Sequence, residues 1–308
     1  ATVRTVGTVV RSGVDQDASG TFLRLHDLSS AEKEAAFINI ISTGKSEINR
    51  LFEIELEEFA KIPRTPICYY TPSPVRNLYN TDAEHAGADG SSEFNAVPGL
   101  QTSDDDRFTR KHWETSDSDA FPPIAKGGEN AWIMPQITDT VEWENNGRQL
   151  RRSSKSIRTR NEEFYGQEGL TWTFIKETGR RFGYFPGGLF SHTGFMLFPW
   201  GDNSLWQTMS ILNSDLYHNL FLSQTTERHW NSGEIGAVPW IDELEELDIL
   251  EELAKRQYEV KLEERIHEPV SPYYIAPSLY PDGSIGQFRY NHPHPEIIQE
   301  ELDIEPEL

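Results

Sequence analysis

The sequence predicts an α+β protein with an irregular mixed sheet and flanking helices, followed by a long C-terminal helix. Between residues 132 and 198 the chain is rich in glycine, aromatic and β-branched residues, which are typical of short strands separated by turns. Helical patterns follow from residue 204 onward. Of the 308 residues, 11% are aromatic, which favours a folded chain because disordered segments are poor in aromatics.

Two strands and one helix are predicted near the start of the chain. Residues 5–10 and 21–25 alternate in polarity, and we expect them to pair as a long hairpin. Ser29 precedes an acidic first turn in the manner of a helix N-cap. Residues 31–42 should therefore be helical, and Gly44 should end the helix.

The middle of the chain predicts short strands and turns. Residues 47–59 suggest a strand and then a short helix, and the prolines from Pro63 to Pro74 exclude regular structure. A strand over residues 138–143 should end at the turn signal Asn145-Asn146-Gly147. The remaining candidates are strands at residues 170–175, 182–185 and 194–198, and helices at residues 204–212 and 215–223.

A single long helix is predicted over residues 242–266, where apolar residues recur at helical spacing. Its many acids between residues 242 and 252 are interpreted as a solvated face. The tail from Glu296 onward is acidic and is expected to fray. The chain thus divides into residues 1–45, 46–240 and 241–308.

The charge balance points to the solvent as much as to a partner. Lys and Arg number 28 and Asp and Glu number 50, for a net charge of −22, which argues against nucleic acid and anionic membranes. Arg outnumbers Lys by 19 to 9, and many acids with few Lys are the surface composition expected of a halophilic protein. At about 1 M salt the Debye length is about 3 Å, so repulsion between acids is screened.

Several classes of chemistry find no support in the sequence. Cys68 is the single cysteine, which excludes an intrachain disulfide and a multi-cysteine zinc site and predicts a small buried residue. Phosphate-binding glycine loops and nucleophile elbows are absent. We interpret residues 292–294 (His-Pro-His) as a surface turn and residues 104–106 (Asp-Asp-Asp) as an acidic turn, so no metal site is predicted. Without an apolar run of about 18 residues or a signal peptide, a cytoplasmic location is expected.

One segment is positively charged, although the chain as a whole is negative. Residues 148–160, the basic segment, hold six cations and no acid: Arg148, Arg151, Arg152, Lys155, Arg158 and Arg160. Arginine forks and serine hydroxyls suit phosphate oxygens. Two interpretations remain open, a phosphate-binding surface and a flexible polar loop that balances nearby acids.

Five segments in series resemble one protein family. They are residues 61–70, residues 99–108, residues 126–128 together with 141–147, residues 168–173, and residues 233–239. The family is the PglX-like adenine-specific DNA methyltransferases of BREX phage-defence systems, with related single-chain restriction–modification enzymes. Two of its glycine positions hold Arg64 and Ser103 in this chain.

The resemblance implies a role for each part of the chain. Residues 1–45 would be the terminal hairpin and helix of an upstream methyltransferase domain, residues 46–240 a DNA target-recognition domain, and residues 241–308 a helical acidic segment. The family's Asn-Pro-Pro-Tyr motif and S-adenosylmethionine loop are absent from these residues. We therefore expect no catalytic residue, cofactor site or methylation by this chain alone, and place S-adenosylmethionine in the full-length enzyme.

The expected function is sequence-specific recognition of duplex DNA, with presentation of one adenine for flipping into the upstream pocket. The six cations of the basic segment would contact the DNA backbone, and Lys126, Asp104, Asp106 and Arg107 would contact base edges. Expected partners are double-stranded DNA, the upstream methyltransferase domain and other defence proteins. The alternative is a protein–protein interaction module of a defence complex, and a stand-alone enzyme is a weaker third possibility.

Overall fold

Two units make up the chain in the computed structural model. One comprises Ala1–Ala83 with Leu222–Gln224, and the other comprises Glu84–Phe221 with Thr225–Leu308. The predicted division at residues 45 and 240 assigns functions to segments and remains a prediction. The structure describes residues 7–10, 13, 18–44, 50–80, 94–115, 119–127, 132–175, 181–199, 204–225 and 229–274.

The first unit contains a two-stranded antiparallel sheet and short helices. Strand β1 (Ser19–Leu23) pairs with β2 (Leu51–Glu55) so that Gly20 lies opposite Ile54 and Leu23 opposite Leu51. The expected strand and short helix in residues 47–59 are confirmed. The elements are β1 (Ser19–Leu23), α1 (Ser30–Thr43), β2 (Leu51–Glu55), a 3-10 helix (Leu56–Lys61), α2 (Ser73–Asn77) and a 3-10 turn (Leu78–Asn80).

The predicted hairpin of residues 5–10 with residues 21–25 does not form within the described residues. Its described part, residues 7–10, forms no strand, and Val9 is fully exposed. Pairing with β2 instead brings Phe22 of β1 to 5.5 Å from Phe59 and 4.9 Å from Tyr69 between ring centroids. Burial of this aromatic cluster favours the long-range pairing over the local one.

Helix α1 and the burial of Cys68 are confirmed. The Ser29 N–H donates to the Glu32 carboxylate at 2.9 Å, as in a capping box, and Gly44 ends the helix with a φ of 62°. Cys68 is buried, and burial raises the pKa of its thiol. The thiol is therefore a neutral packing group.

The second unit confirms the α+β class, but its described strands form three small sheets in place of the single irregular mixed sheet that was predicted. Strands β3 (Phe94–Val97), β10 (Gly194–Pro199), β7 (Gly169–Thr173) and β8 (Gly183–Phe185) form an antiparallel sheet in that order. A further antiparallel pair joins β4 (Thr109–Lys111) to β6 (Asp139–Val141), and a parallel pair joins β5 (Ile124–Ala125) to β9 (Leu189–Phe190).

The remaining helices of the described residues are α3 (Asp105–Phe108), α4 (Glu144–Ser153), α5 (Leu205–Leu212), α6 (Asp215–Gln224), α7 (Ser232–Ile235) and α8 (Ile249–Arg265), with 3-10 turns at His112–Glu114, Glu162–Phe164 and Asp242–Leu244. Helices α5 and α6 follow the strands as the sequence predicts, whereas α3 and α4 lie among the strands and were not predicted. The Ser204 hydroxyl caps α5 by accepting the Gln207 N–H.

The long C-terminal helix exists but begins later than predicted. Asp242–Leu244 forms a separate 3-10 turn, and α8 begins at Ile249. The Gln207 side chain donates to the Glu245 carbonyl at 2.7 Å, and the Trp240 indole donates to the Glu245 carboxylate at 2.7 Å. These contacts hold the connecting residues outside the regular helical pattern.

Both positions at which the resembled family has glycine adopt the left-handed conformation. Arg64 has a φ of 68° and Ser103 a φ of 59°. Residues with a Cβ atom lose about 1 kcal/mol or more in this conformation. The turns are therefore kept by this chain at a local cost in stability.

We expect Arg64→Gly to raise the free energy of unfolding by about 0.5–1 kcal/mol, because relief of the left-handed strain exceeds the added entropy of the unfolded chain. Ser103→Gly should gain less, since the Ser103 hydroxyl donates to the Ser156 carbonyl at 3.1 Å. Urea unfolding measures both. The matched control, Arg256→Gly in the helical α8, should lose about 1 kcal/mol, and an equal loss for Arg64→Gly would contradict the expectation.

Candidate functional site

The basic segment begins at a sharp left-handed turn. Asn145, Asn146 and Gly147 all have positive φ, at 51°, 57° and 68°, within the α4 range. A Cβ atom on Gly147 would lie 2.6 Å from the Trp143 ring, so only glycine fits there without a shift. The predicted turn is confirmed, and it starts the helical part of the basic segment.

Two apolar residues anchor the basic segment to the core. Leu150 is fully buried in a cluster with Phe108 and Val141, and Ile157 packs partly buried against the same cluster. This arrangement differs from a free polar loop, because the segment is fixed at both positions. Its cations consequently project from a defined scaffold.

Arg151 is engaged within the protein. Its guanidinium forms two parallel bonds to Glu162, of 3.0 Å and 2.6 Å, and also donates to the Asn146 carbonyl at 2.9 Å. It lies over the Trp143 ring at 5.2 Å. The hydrogen bond with Glu162 raises the pKa of Arg151 and lowers the pKa of Glu162. Arg151 therefore neutralises a nearby acid, Glu162, as one of the two interpretations of the basic segment expects. Its contact with phosphate remains a prediction.

The other cations of the basic segment face solvent. Arg158 donates to the Lys155 and Ile157 carbonyls at 2.5 Å and 3.0 Å, and its side chain remains exposed. Within the described ranges, no ion pair or side-chain hydrogen bond involves the remaining four, which are Arg148, Arg152, Lys155 and Arg160. These four charges are available to a ligand.

The turn at residues 103–107 lies directly beside the basic segment. Gln101 and Arg158 exchange two backbone hydrogen bonds, of 2.8 Å and 3.1 Å, and form an antiparallel bridge. The bond from the Ser103 hydroxyl to Ser156 extends this contact. Two regions that the sequence predicted separately are therefore brought together.

Each predicted residue of this turn has a distinct place. Asp104 caps α3 by accepting the Arg107 N–H at 3.2 Å. Arg107 lies over the Phe108 ring at 4.9 Å with its side chain exposed, and Asp106 is also exposed. The exposed side chains of Arg107 and Asp106 can contact a ligand. The Asp104 carboxylate is in addition the N-cap of α3.

Asp105 joins the turn to Lys126, and the sequence-based prediction missed it. Its carboxylate lies 2.6 Å from the Lys126 ammonium and accepts the Thr102 hydroxyl. Burial acts to raise the pKa of Asp105, but these two bonds and the nearby Lys126 charge outweigh it, and the pKa is lowered. Three consecutive acids in a sequence do not reveal which one points toward a lysine.

Lys126 sits on a loop held by close backbone packing. Gly127 has a φ of 81°, and a Cβ atom on Gly194 would lie 2.2 Å from the Gly127 nitrogen. His192 is exposed near Asp105, and its backbone N–H donates to the Leu100 carbonyl at 3.0 Å. His192 thus lies beside the turn, and no sequence motif pointed to it.

Other chemistry finds no site in the described parts of the chain. The described residues contain no group of three His, Cys, Asp or Glu side chains that could hold a metal ion. Residues 292–294 and the tail from Glu296 lie outside the described residues. Among the helices of the described residues, none is long and apolar enough to cross a membrane.

Comparison with known proteins relates the chain to adenine-specific methyltransferases. It is 26% identical over 271 residues to Adenine-specific methyltransferase BrxX of Escherichia coli O9:H4 (strain HS). The matched region takes in 84% of this chain and 21% of that protein, so the chain spans about a fifth of the length of this relative. No family model matches the chain. The chain is thus similar to part of an adenine-specific methyltransferase, while membership of the BREX family, target recognition and halophily remain predictions.

Proposed function

We propose that this chain is the specificity part of an adenine-specific DNA methyltransferase and that it recognises a duplex DNA site. The observation that carries the proposal is the junction between the basic segment and the turn at residues 103–107, formed by Gln101 with Arg158 and by Ser103 with Ser156. The methyltransferase relative supports the same assignment. Phosphate-contacting and base-contacting groups would then share one surface.

Backbone contact is assigned to the exposed cations of the basic segment. In a chain of net charge −22, a duplex can approach only where positive charge is concentrated. Arg148, Arg152, Lys155, Arg158 and Arg160 supply that concentration on a segment anchored by buried Leu150. Arg151 would position the segment through its Glu162 pair, in addition to any phosphate contact.

Base contact is assigned to the turn and to Lys126. Arg and Lys can donate to the acceptors of guanine in the major groove, and Asp can accept from the amino group of cytosine. Arg107, Asp104 and Asp106 would be such groups on the turn. Lys126 is paired with Asp105 at 2.6 Å, so the pair would reach bases with its orientation already fixed.

Catalysis would lie outside this chain. The Asn-Pro-Pro-Tyr motif and the cofactor loop of the resembled family are absent from the sequence, and we assign S-adenosylmethionine binding to the remainder of a longer protein. Presentation of a flipped adenine to that domain is the expected link between recognition and methylation. The upstream domain and other defence proteins are the proposed protein partners.

Selection from random duplexes at roughly 0.5 M salt should enrich one shared site, since base contacts persist where phosphate attraction is screened.

On that site Arg107→Ala should weaken binding by about 1–3 kcal/mol, with little effect on unrelated duplexes. Fluorescence anisotropy measures both affinities. Arg256→Ala is the control, because Arg256 is an exposed arginine paired with Glu259. Equal weakening on all duplexes would assign Arg107 to the DNA backbone, and preferential binding of poly-glutamate would favour the protein-interaction alternative.

A further inference from the structure

Helix α8 has an inner face that packs on the second unit. Ala254, Tyr258 and Leu262 are buried on this face. The Tyr258 ring meets the Trp206 ring of α5 edge-on at 5.1 Å. The Ser210 hydroxyl of α5 donates to the Leu250 carbonyl at 2.6 Å. This side of α8 is therefore fully used by the fold.

The opposite face of α8 carries an exposed apolar stripe. Ile249, Leu253 and Val260 are 51%, 47% and 42% exposed. They stand at positions i, i+4 and i+11, which fall along one side of an α-helix, away from Tyr258 and the rest of the inner face. Single exposed apolar residues are ordinary, whereas three on one side of a helix offer an apolar surface on which another helix can pack.

Acidic residues border the stripe. Each cation nearest to it is already paired with an acid of the same helix: Lys255 with Glu251 at 2.6 Å, Arg256 with Glu259 at 3.1 Å and Lys261 with Glu264 at 2.7 Å. Within the described ranges, no ion pair involves Glu252 and Glu263 of α8 or the acids Asp242, Glu243, Glu246 and Asp248, which precede the helix. Helix α8 and the residues before it therefore carry an excess of negative charge.

We propose that the outer face of α8 binds a partner α-helix that has an apolar seam flanked by Lys and Arg. Charge complementarity selects this occupant, because an apolar stripe with an acidic border fits a basic amphipathic helix. A second copy of α8 would bring acids against acids. Residues 275–308 are also unsuited, since they contain seven acids and a single basic residue, Arg289. This surface is independent of the proposed DNA contacts.

The test uses the full chain and a fluorescent helical peptide of about 20 residues, with Leu at the seam and Lys or Arg beside it. At roughly 0.3 M salt we expect micromolar binding, weakened at least about tenfold when Glu replaces the flanking cations. Ile249→Ser with Leu253→Ser should weaken it similarly while DNA binding stays unchanged. The matched control is Ile38→Ser with Ile41→Ser, two exposed apolar residues of α1, which should have no effect.

Three outcomes would overturn this proposal. One is equal binding of the basic and acidic peptides, and another is unchanged peptide binding by the α8 variant. The third is sedimentation equilibrium that gives a dimer which the α8 variant loses, because the face would then belong to a second copy of the chain. Circular dichroism of every variant separates a lost surface from a lost fold.

Discussion

Simultaneous replacement of Arg148, Arg152, Lys155 and Arg160 by Gln is expected to weaken duplex DNA binding by about 10²–10³-fold at roughly 0.2 M salt. Each phosphate contact releases about 0.9 counterion, so four contacts contribute about 3 to 4 to the slope of log affinity against log salt. The variant should lose this contribution and show a correspondingly shallower slope. The loss should be similar for every duplex, since phosphates carry no sequence information. Anisotropy titrations from about 0.2 to 1 M salt measure both quantities.

The matched control removes four cations elsewhere on the chain. Lys33→Gln, Lys255→Gln, Arg256→Gln and Lys261→Gln change the net charge equally and leave the basic segment intact. This variant should lose far less affinity and keep the salt slope. If the two variants bind DNA equally well, total charge and not the basic segment governs binding, and the proposed backbone surface is wrong.

Arg151 is deliberately kept in that experiment. Its bidentate pair with Glu162 and its position over the Trp143 ring hold the basic segment in place. Replacing it would combine lost binding with lost local structure. The four residues that are replaced have exposed side chains without an ion pair in the described ranges, so their substitution by Gln tests charge with little structural disturbance.

Local signals in the sequence predicted most of the individual elements. The Ser29 cap, the Gly44 stop and the Asn145-Asn146-Gly147 turn each depend on a few adjacent residues, and each is confirmed. Strand partners depend on distant residues instead. Residues 5–10 alternate as a strand should, yet β1 pairs with β2 because Phe22 meets Phe59 and Tyr69 there.

The candidate site shows the same limit at the level of side chains. The run of cations in the sequence revealed the basic segment, but it could not show that Arg151 pairs with Glu162 while Arg152 stays without an ion pair in the described ranges. Nor could it show that Asp105, between two exposed acids, pairs with Lys126. Facing directions follow from tertiary packing around Leu150 and Phe108, which no local pattern encodes.

The acid excess leads to the second large expected effect, the loss of the fold at low salt. The chain has 50 acids and 28 bases, so the excess acids repel one another. Several acids on and before α8 have no cation partner within the described ranges. Ion pairs on the surface contribute only about 0–1 kcal/mol each, so the existing pairs cannot offset the repulsion. Screening must do so, and the Debye length grows from about 3 Å at 1 M salt to about 10 Å at 0.1 M.

We therefore expect the chain to unfold or aggregate below roughly 0.1 M salt and to melt at a higher temperature in about 2 M KCl. Circular dichroism melts across this range measure the transition.

Glu243→Gln, Glu246→Gln, Glu252→Gln and Glu263→Gln together should shift the transition to lower salt, because they remove four of the unpaired charges on and before α8. Sucrose is the control, since it favours compact states without screening charge. A melting temperature that is the same in dilute buffer and in 2 M KCl would show that the acids do not repel enough to matter, and the halophilic interpretation of the composition would fail with it.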